Sequence, residues 1–376
     1  MHIKKQQQRE KGVCFWVILI NTIFLLSSCE LCSYTWSCDS THVALVWKQK
    51  FDNEYMFRLG ITSINAEDIL HLEPPEPLDV SGPMGIISSP AWSPRGDLIA
   101  YYKVTSVLQN CNLNYEYDVE LAVISPTEKQ KKVLRQLKWK AESALSDTFI
   151  SSQLRPAWSE DGNRVIYAKL LSDSEWLIKS VRLDGMEPRQ HTHSSTGVVY
   201  TPKGRNHFCT FYGNELIVYE IDGGKAKFFL LPALSDSTDI AWTDEIAKLA
   251  FLAGEKITLL DVSSGKITEI HDSDVKSING VDIASRHVFY LSQLKKDSEY
   301  KQKFDVRSVP VDGALKKILF SVPVQMTPIR LSVSPNGRFI FLIGDQKNED
   351  YRNGSTLLIY DNETNKILTA NLGFEI

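Results

Sequence analysis

Apolar and polar positions along this chain fall into one recurring unit: an aromatic or apolar anchor, a short polar turn, then a dense apolar strand. The clearest copies are Pro90-Ala91-Trp92-Ser93-Pro94-Arg95-Gly96-Asp97-Leu98-Ile99-Ala100-Tyr101 and Pro156-Ala157-Trp158-Ser159-Glu160-Asp161-Gly162-Asn163-Arg164-Val165-Ile166-Tyr167. With Trp92 and Trp158 as anchors, further copies align without gaps at Trp36, Tyr200, Trp242, Val281 and Val333. The seventh to ninth residues after each anchor decide whether the unit is real, because they must form a buried strand. They read Val43-Ala44-Leu45, Ile99-Ala100-Tyr101, Val165-Ile166-Tyr167, His207-Phe208-Cys209, Leu249-Ala250-Phe251, Val288-Phe289-Tyr290 and Ile340-Phe341-Leu342. Twenty of these twenty-one are apolar or aromatic, His207 being the exception. Glycine stands four residues after the anchor at Gly96, Gly162, Gly204 and Gly337, where a residue with positive φ completes a tight hairpin turn. Pro94 and Pro335 preset φ inside two of those turns.

A second strand signal follows each unit, as in Leu216-Ile217-Val218-Tyr219-Glu220-Ile221 before Asp222-Gly223-Gly224, and a further apolar alternation such as Ala226 to Leu231 comes next. Each unit thus predicts about four short antiparallel strands, one blade of a β-propeller. The fold class is all-β: a seven-bladed β-propeller of four-stranded antiparallel blades, with six blades as the alternative because the copies at Val281 and Val333 lack the aromatic anchor. Anchor spacings are 56, 66, 42, 42, 39 and 52 residues. The longer ones need insertions, placed as a polar loop at Thr105 to Tyr115 carrying Cys111 and a segment at Gln136 to Gln153 with room for a short helix.

The Pro-Ala-Trp-Ser-Pro-x-Gly-x-x-Ile-Ala-Tyr pattern resembles the WD-like repeat of TolB-type β-propellers. The resemblance covers residues 31–376; it is sharp at Trp92, Trp158 and Trp242 and degenerate elsewhere, with Cys38 in place of the turn proline and Ile246 in place of the turn glycine. It implies a propeller of the cell envelope and no single activity, since the family includes partner-binding proteins, carbohydrate-active lyases and the gating propellers of serine peptidases. Only six residues lie between Cys29 and Trp36, so the amino-terminal α/β domain of TolB itself has no counterpart here.

The amino terminus changes the picture. Lys4, Lys5, Arg9 and Lys11 precede an apolar stretch from Val13 to Leu26, shorter than a membrane span needs, which ends in Leu26-Ser27-Ser28-Cys29. The last four residues resemble a bacterial lipobox, which implies a lipoprotein signal peptide over 1–29, lipid attachment at Cys29 and a single propeller domain over 30–376. An uncleaved signal anchor is the alternative. By the same resemblance Glu30, where an aspartate favours inner-membrane retention, points to the outer membrane facing the periplasm. Beyond the leader the chain holds 38 Lys and Arg against 45 Asp and Glu, a formal charge of −7. That acidic balance argues against a nucleic-acid partner. Cys32, Cys38, Cys111 and Cys209 allow three complete disulfide pairings in such a compartment, and their spacing does not choose among them.

Catalytic signatures are few. Gly-x-Ser-x-Gly, His-Glu-x-x-His and Walker patterns do not occur in the sequence. His191 and His193 are the closest histidine pair, two residues apart on a predicted strand and hence a candidate metal pair. His42, His207 and His287 fall in different blades but at unequal offsets from their anchors, so they do not share a facing. Segments leading into the anchors are expected at one end of the axial channel, which makes Arg155, Asp239 and Arg330 the candidate ligand-binding residues. No cofactor is implied. The leading expectation is a non-enzymatic scaffold that binds an envelope protein or glycan. The alternative is a carbohydrate-active lyase or lactonase-type enzyme with a metal in the channel.

Overall fold

The computed structural model describes residues 29–371 apart from 52–53, 65–74, 84, 110–114, 148, 174, 202–206, 223, 232–239, 243–247, 254–255, 295–302, 313–314, 325 and 347–353. The leader upstream of Cys29 lies outside the described residues; of Cys29 only the backbone is described.

Seven antiparallel sheets follow one another along the chain, their strands paired in sequence order. Blade one holds Cys29–Trp36, His42–Phe51, Glu54–Ser63 and Asp79–Val80. In blade two the inner strand is broken into Ile86–Ile87 and Ala91–Trp92, both paired to Ile99–Gln109, with Tyr115–Ile124 and Lys131–Ala141 outside them. Ser88 bridges the break by accepting the Tyr102 N–H on its hydroxyl at 2.8 Å. Blade three is Ala157–Trp158, Arg164–Ser172, Glu175–Arg182 and Arg189–Ser194. Blade four has His207–Tyr212, Glu215–Glu220 and Ala226–Leu230, with Tyr200 bridging to Cys209 on the inner side. Blade five is Ile240–Trp242, Lys248–Ala253, Lys256–Asp261 and Ile267–Ile270; blade six is Val275–Ala284, His287–Leu294, Phe304–Pro310 and Lys317–Ser321. Blade seven is Met326–Val333, Phe339–Gln346, Gly354–Asp361 and Lys366–Asn371.

Period-two alternation along the second strands closes these sheets into a ring. Val43 and Leu45 pack against Phe339, Phe341 and Ile359 of blade seven, while Ala44 and Val46 face blade two. Leu249 and Phe251 pack on blade four, and Ala250 and Leu252 on blade six. Ile340 and Leu342 face blade six. In six of the blades the seventh and ninth residues after the anchor face the preceding blade and the eighth faces the next; in blade four the phase is inverted, Phe208 facing blade three and Cys209 facing blade five. Each sheet therefore covers its neighbour's apolar face, and seven blades, not six, complete the circle. Blade one meets blade seven chiefly through packed rings: Trp36 lies 4.3 Å from Phe341 and 6.2 Å from Phe339 between ring centroids.

The turn after the anchor repeats in atomic detail. Ser37, Ser93, Ser159 and Ser334 are buried, and each accepts a backbone N–H from the start of the second strand on its hydroxyl. The fourth residue has positive φ at Gly96, Gly162 and Gly337, and also at Ser40, which takes the glycine's place in blade one. Gly204 and Ile246 lie outside the described residues.

Three expectations need correction. Thr105 to Gln109 is strand, because blade two extends its central hairpin beyond its neighbours. The segment 136–153 begins as strand, with Trp139 buried on Lys131–Ala141, and only Phe149–Gln153 makes a helical turn. The gap-free alignment also slips in blades four and six. Trp36, Trp92, Trp158, Trp242 and Val333 sit opposite the seventh residue beyond them. Tyr200 and Val281 sit opposite the ninth. In blade six the cause is a two-residue hairpin at Ser285-Arg286, both with positive φ, in place of the longer turn.

Candidate binding site

The inner strands line the axis of a propeller. On them Arg155 and Arg330 occupy equivalent places, three residues before Trp158 and Val333. Each is half-buried and lays its guanidinium over a tyrosine on the next blade's inner side: Arg155 over Tyr200 and Arg330 over Tyr34, both 5.3 Å from the ring centroid. A cation held on an aromatic face is oriented as well as stabilised. Asp239, the equivalent residue of blade five, lies outside the described residues.

The histidines do not converge. His191 is the extra residue of a β-bulge in the outer strand of blade three, between Thr192 opposite Ile178 and Gln190 opposite Lys179. The bulge turns its ring between blades: it contacts Ser180 Oγ at 2.9 Å and lies 5.4 and 5.3 Å from the Phe208 and Tyr219 rings of blade four. Burial there, with Arg164 and Arg189 nearby and Asp222 opposing, lowers its pKa to about 4. His193 instead meets Glu175 Oε1 at 2.7 Å on the surface. The two rings have separate partners and do not share a coordination sphere. His42 leans toward Trp92 of blade two, and His287 contacts the Ser285 carbonyl at 2.9 Å.

A site that the sequence did not announce lies on the end of the ring formed by the first-to-second and third-to-fourth turns. An open cleft of about 570 Å³ runs from blade three to blade four, lined by both turns of blade three and by Asp222 of blade four. Three arginines surround one carboxylate in it. Arg164, almost wholly buried, donates through Nη1 to the Glu187 carbonyl at 3.1 Å and through Nη2 to its Oε2 at 2.9 Å. Arg182 Nη1 lies 3.6 Å from Glu187 Oε1 and Arg189 Nη2 lies 3.8 Å from Oε2. Arg182 also pairs with Asp184 at 3.3 Å, and Arg189 crosses to Asp222 at 3.5 Å. Glu187 reaches this place from a backbone with φ of 48°, just after the Gly185 turn. At the rim, burial raises the Asp161 pKa, but hydrogen bonds from Ser159 and Asn163 outweigh it and leave the group below its usual value. Charges of both signs, partly exposed and geometrically fixed, suit recognition of a polar surface. Ser159, the one hydroxyl here, is already committed to Asp161 and to the Arg164 backbone.

No protein-family model and no curated protein matches the chain. Among solved structures it is similar to a prolyl endopeptidase, at 11% identity and a TM-score of 0.59, over 92% of this chain and 50% of that one. It is similar to the oligogalacturonate lyase of Vibrio parahaemolyticus, at 10% identity and a TM-score of 0.52, over 91% of this chain and 86% of that one. TolB of Acinetobacter baumannii matches at 14% identity and a TM-score of 0.43, over 88% of this chain and 63% of that one. The chain thus spans less than two thirds of the TolB and peptidase chains. Identities this low show the fold alone, and the two likenesses with a TM-score above 0.5 are to the ring described above.

Proposed function

We propose that this chain is a lipid-anchored propeller of the bacterial envelope that works by binding a protein partner, with the mixed-charge cleft between blades three and four as its contact face. The observation that carries this reading is the cleft itself: an open concavity whose fixed guanidiniums and carboxylates resemble the polar rim of a protein interface. Arg155 and Arg330 supply a second polar position on the axis, available to a partner that also covers the channel mouth. The test uses the full chain, expressed with its leader and cross-linked in intact envelopes. Wild type recovers one partner in stoichiometric amount, and the double variant Arg182→Glu, Arg189→Glu loses it. Recovery of the same partner by the folded variant rules out the cleft; repeated failure to recover any partner rules out the binding reading.

The alternative reading, a carbohydrate-active lyase or lactonase-type enzyme, draws on the likeness to oligogalacturonate lyase across most of both chains. Elemental analysis of the purified chain, with an assay of eliminative cleavage of oligogalacturonate, separates the two. A stoichiometric divalent ion that His191→Ala or His207→Ala removes, together with turnover, supports the enzyme.

A further inference from the structure

Cys29 is both the acylation site of the lipobox reading and the first residue of the first inner strand, where it sits opposite Gln49 in the ladder. A spacer would add about 3.3 Å of reach for each extended residue. Here there is none, so the end of the ring where inner strands begin is held against the headgroups.

Chain direction fixes what else lies on that end. The inner strand of blade one runs to the turn at Ser37–Thr41, and the second strand returns, so the second-to-third hairpins and the connections between blades share the end with Cys29. Tyr55, Leu108, Leu171 and Tyr212 stand at or beside those hairpins in blades one to four, and Val324 stands in the connection from blade six to blade seven. They are 49%, 60%, 40%, 50% and 49% exposed. Lys48 holds its ammonium 4.6 Å from the Tyr55 ring centroid and pairs with Asp147 at 3.1 Å, which fixes the ring at this end. Among the described residues, the turns of the opposite end expose Met186 and Leu315, and the other exposed large apolar side chains are on outer strands.

We propose that the hairpin end is a lipid-docking face: the acylated propeller rests this end on the bilayer, with Leu108 on the longest hairpin deepest and Tyr55, Leu171 and Tyr212 among the headgroups. Tyrosines favour that depth because an apolar ring and a polar tip fit the interface together. The orientation turns the cleft around Glu187 away from the membrane, toward soluble partners. It rests on the lipid-anchor reading of the leader.

The test places the full chain, processed from its leader, in vesicles of phosphatidylethanolamine and phosphatidylglycerol and follows backbone hydrogen exchange. Fragments containing Tyr55, Leu108, Leu171 and Tyr212 slow by roughly tenfold or more relative to the folded variant Tyr55→Ser, Leu108→Ser, Leu171→Ser, Tyr212→Ser, which the lipid keeps on the same vesicles. Fragments containing Ser93, Ser159 and Ser334, from the opposite end, exchange alike in both. The mass of the amino-terminal peptide reports acylation of Cys29 separately. An acylated chain whose hairpin fragments exchange as fast as the variant's overturns the docking face and leaves the anchor standing; a peptide without acyl chains overturns both.

Discussion

The first three blades and the last four solve the same packing problem by different means. One continuous core runs through blades one, two and three and into blade four, and it contains Trp139, Tyr102, Tyr117, Tyr167 and Trp176. The later junctions each have a separate, smaller cluster. The anchor indole shows the same division. Trp92 Nε1 donates to the Thr35 carbonyl of blade one at 3.1 Å, and Trp158 Nε1 to the equivalent Ala91 carbonyl of blade two at 2.9 Å. Trp242 at the junction of blades four and five and Trp36 at the closing junction are in the same position, yet their buried Nε1 atoms find no partner among the described residues. A second device serves both halves: the tyrosine nine residues after the anchor reaches the preceding blade, Tyr101 to Asp79 at 2.6 Å and Tyr290 to Asp272 at 2.7 Å. Burial opposes the charge on Asp79, but the Tyr101 and Lys103 hydrogen bonds outweigh it and keep the carboxyl below its usual pKa. Closure of the ring thus requires only that each junction be filled. The indole hydrogen bond is an addition that two junctions have.

The largest test of that difference is truncation. Trp139 is fully buried and meets Tyr102 and Trp176 edge-on at 5.5 Å, which ties blade two to blade three. Trp139→Ala is expected to cost about 4 kcal/mol and Phe341→Ala, at the closing junction, about 3 kcal/mol, read from urea midpoints. Equal costs, or a larger one for Phe341→Ala, break the claim that the shared core is the stronger half.

Acid acts on the seam between the halves. The folded pKa of His191, about 4, lies below its ordinary value. Between pH 6.5 and pH 4 the unfolded chain therefore binds a proton that the folded chain refuses, and stability, complete above about pH 6.5, falls as pH falls toward 4. Partial exposure of the ring screens the full linkage value to a loss of about 2 kcal/mol. Burial of the ring sets the sign, Arg164 and Arg189 add to it against Asp222, and His191→Phe is expected to flatten this part of the urea-midpoint profile. A slope that persists in the variant would assign the acid sensitivity to other groups.

Much of the ring was legible because its code has period two. Val165-Ile166-Tyr167 and its equivalents are apolar or aromatic at every position but His207, as strands covered on both faces must be. The alignment error at Val281 did no harm, since a slip of two residues keeps every side chain on its proper face; at Tyr200 the phase is inverted, so that Phe208 and not Cys209 faces the preceding blade. The blade-two extension was not legible for a physical reason: beyond Val104 the strand rises past its neighbours, so Thr105, Ser106 and Gln109 are polar and imitate a loop. Leu137-Lys138-Trp139-Lys140-Ala141 did carry the alternation, buried at every second residue. The cleft was hidden because Arg164, Glu187 and Asp222 come from three separate turns; the density of charge from Arg182 to Arg189 was its one local signal.

A finer comparison removes the indole N–H and keeps most of the ring volume. Trp158→Phe leaves the Ala91 carbonyl without its partner and is expected to cost about 1 kcal/mol more than Trp242→Phe, which deletes a donor with no acceptor among the described residues. Double substitution with the matching tyrosine junctions left intact should be additive, because the sites share no partner. If the two single variants fall to the same extent, the hydrogen bond contributes nothing and the halves differ only in packing.

The smallest effect tests the closing turn. Ser40 holds a φ of 62° where other copies have glycine, and its hydroxyl accepts the Asn336 N–H from blade seven at 3.2 Å. Ser40→Ala keeps the strained backbone and loses that bond, so it should cost about 1 kcal/mol. Ser40→Gly loses the same bond but relieves about 1 kcal/mol of left-handed strain, offset in part by the greater freedom of glycine in the unfolded chain, and should fall within about 0.5 kcal/mol of wild type. The serine is then explained as a glycine position taken over by a hydrogen bond that reaches from the first blade's turn to the last blade's. Should Ser40→Ala and Ser40→Gly prove equally costly, the strain is not felt, and the serine is there for the hydrogen bond alone.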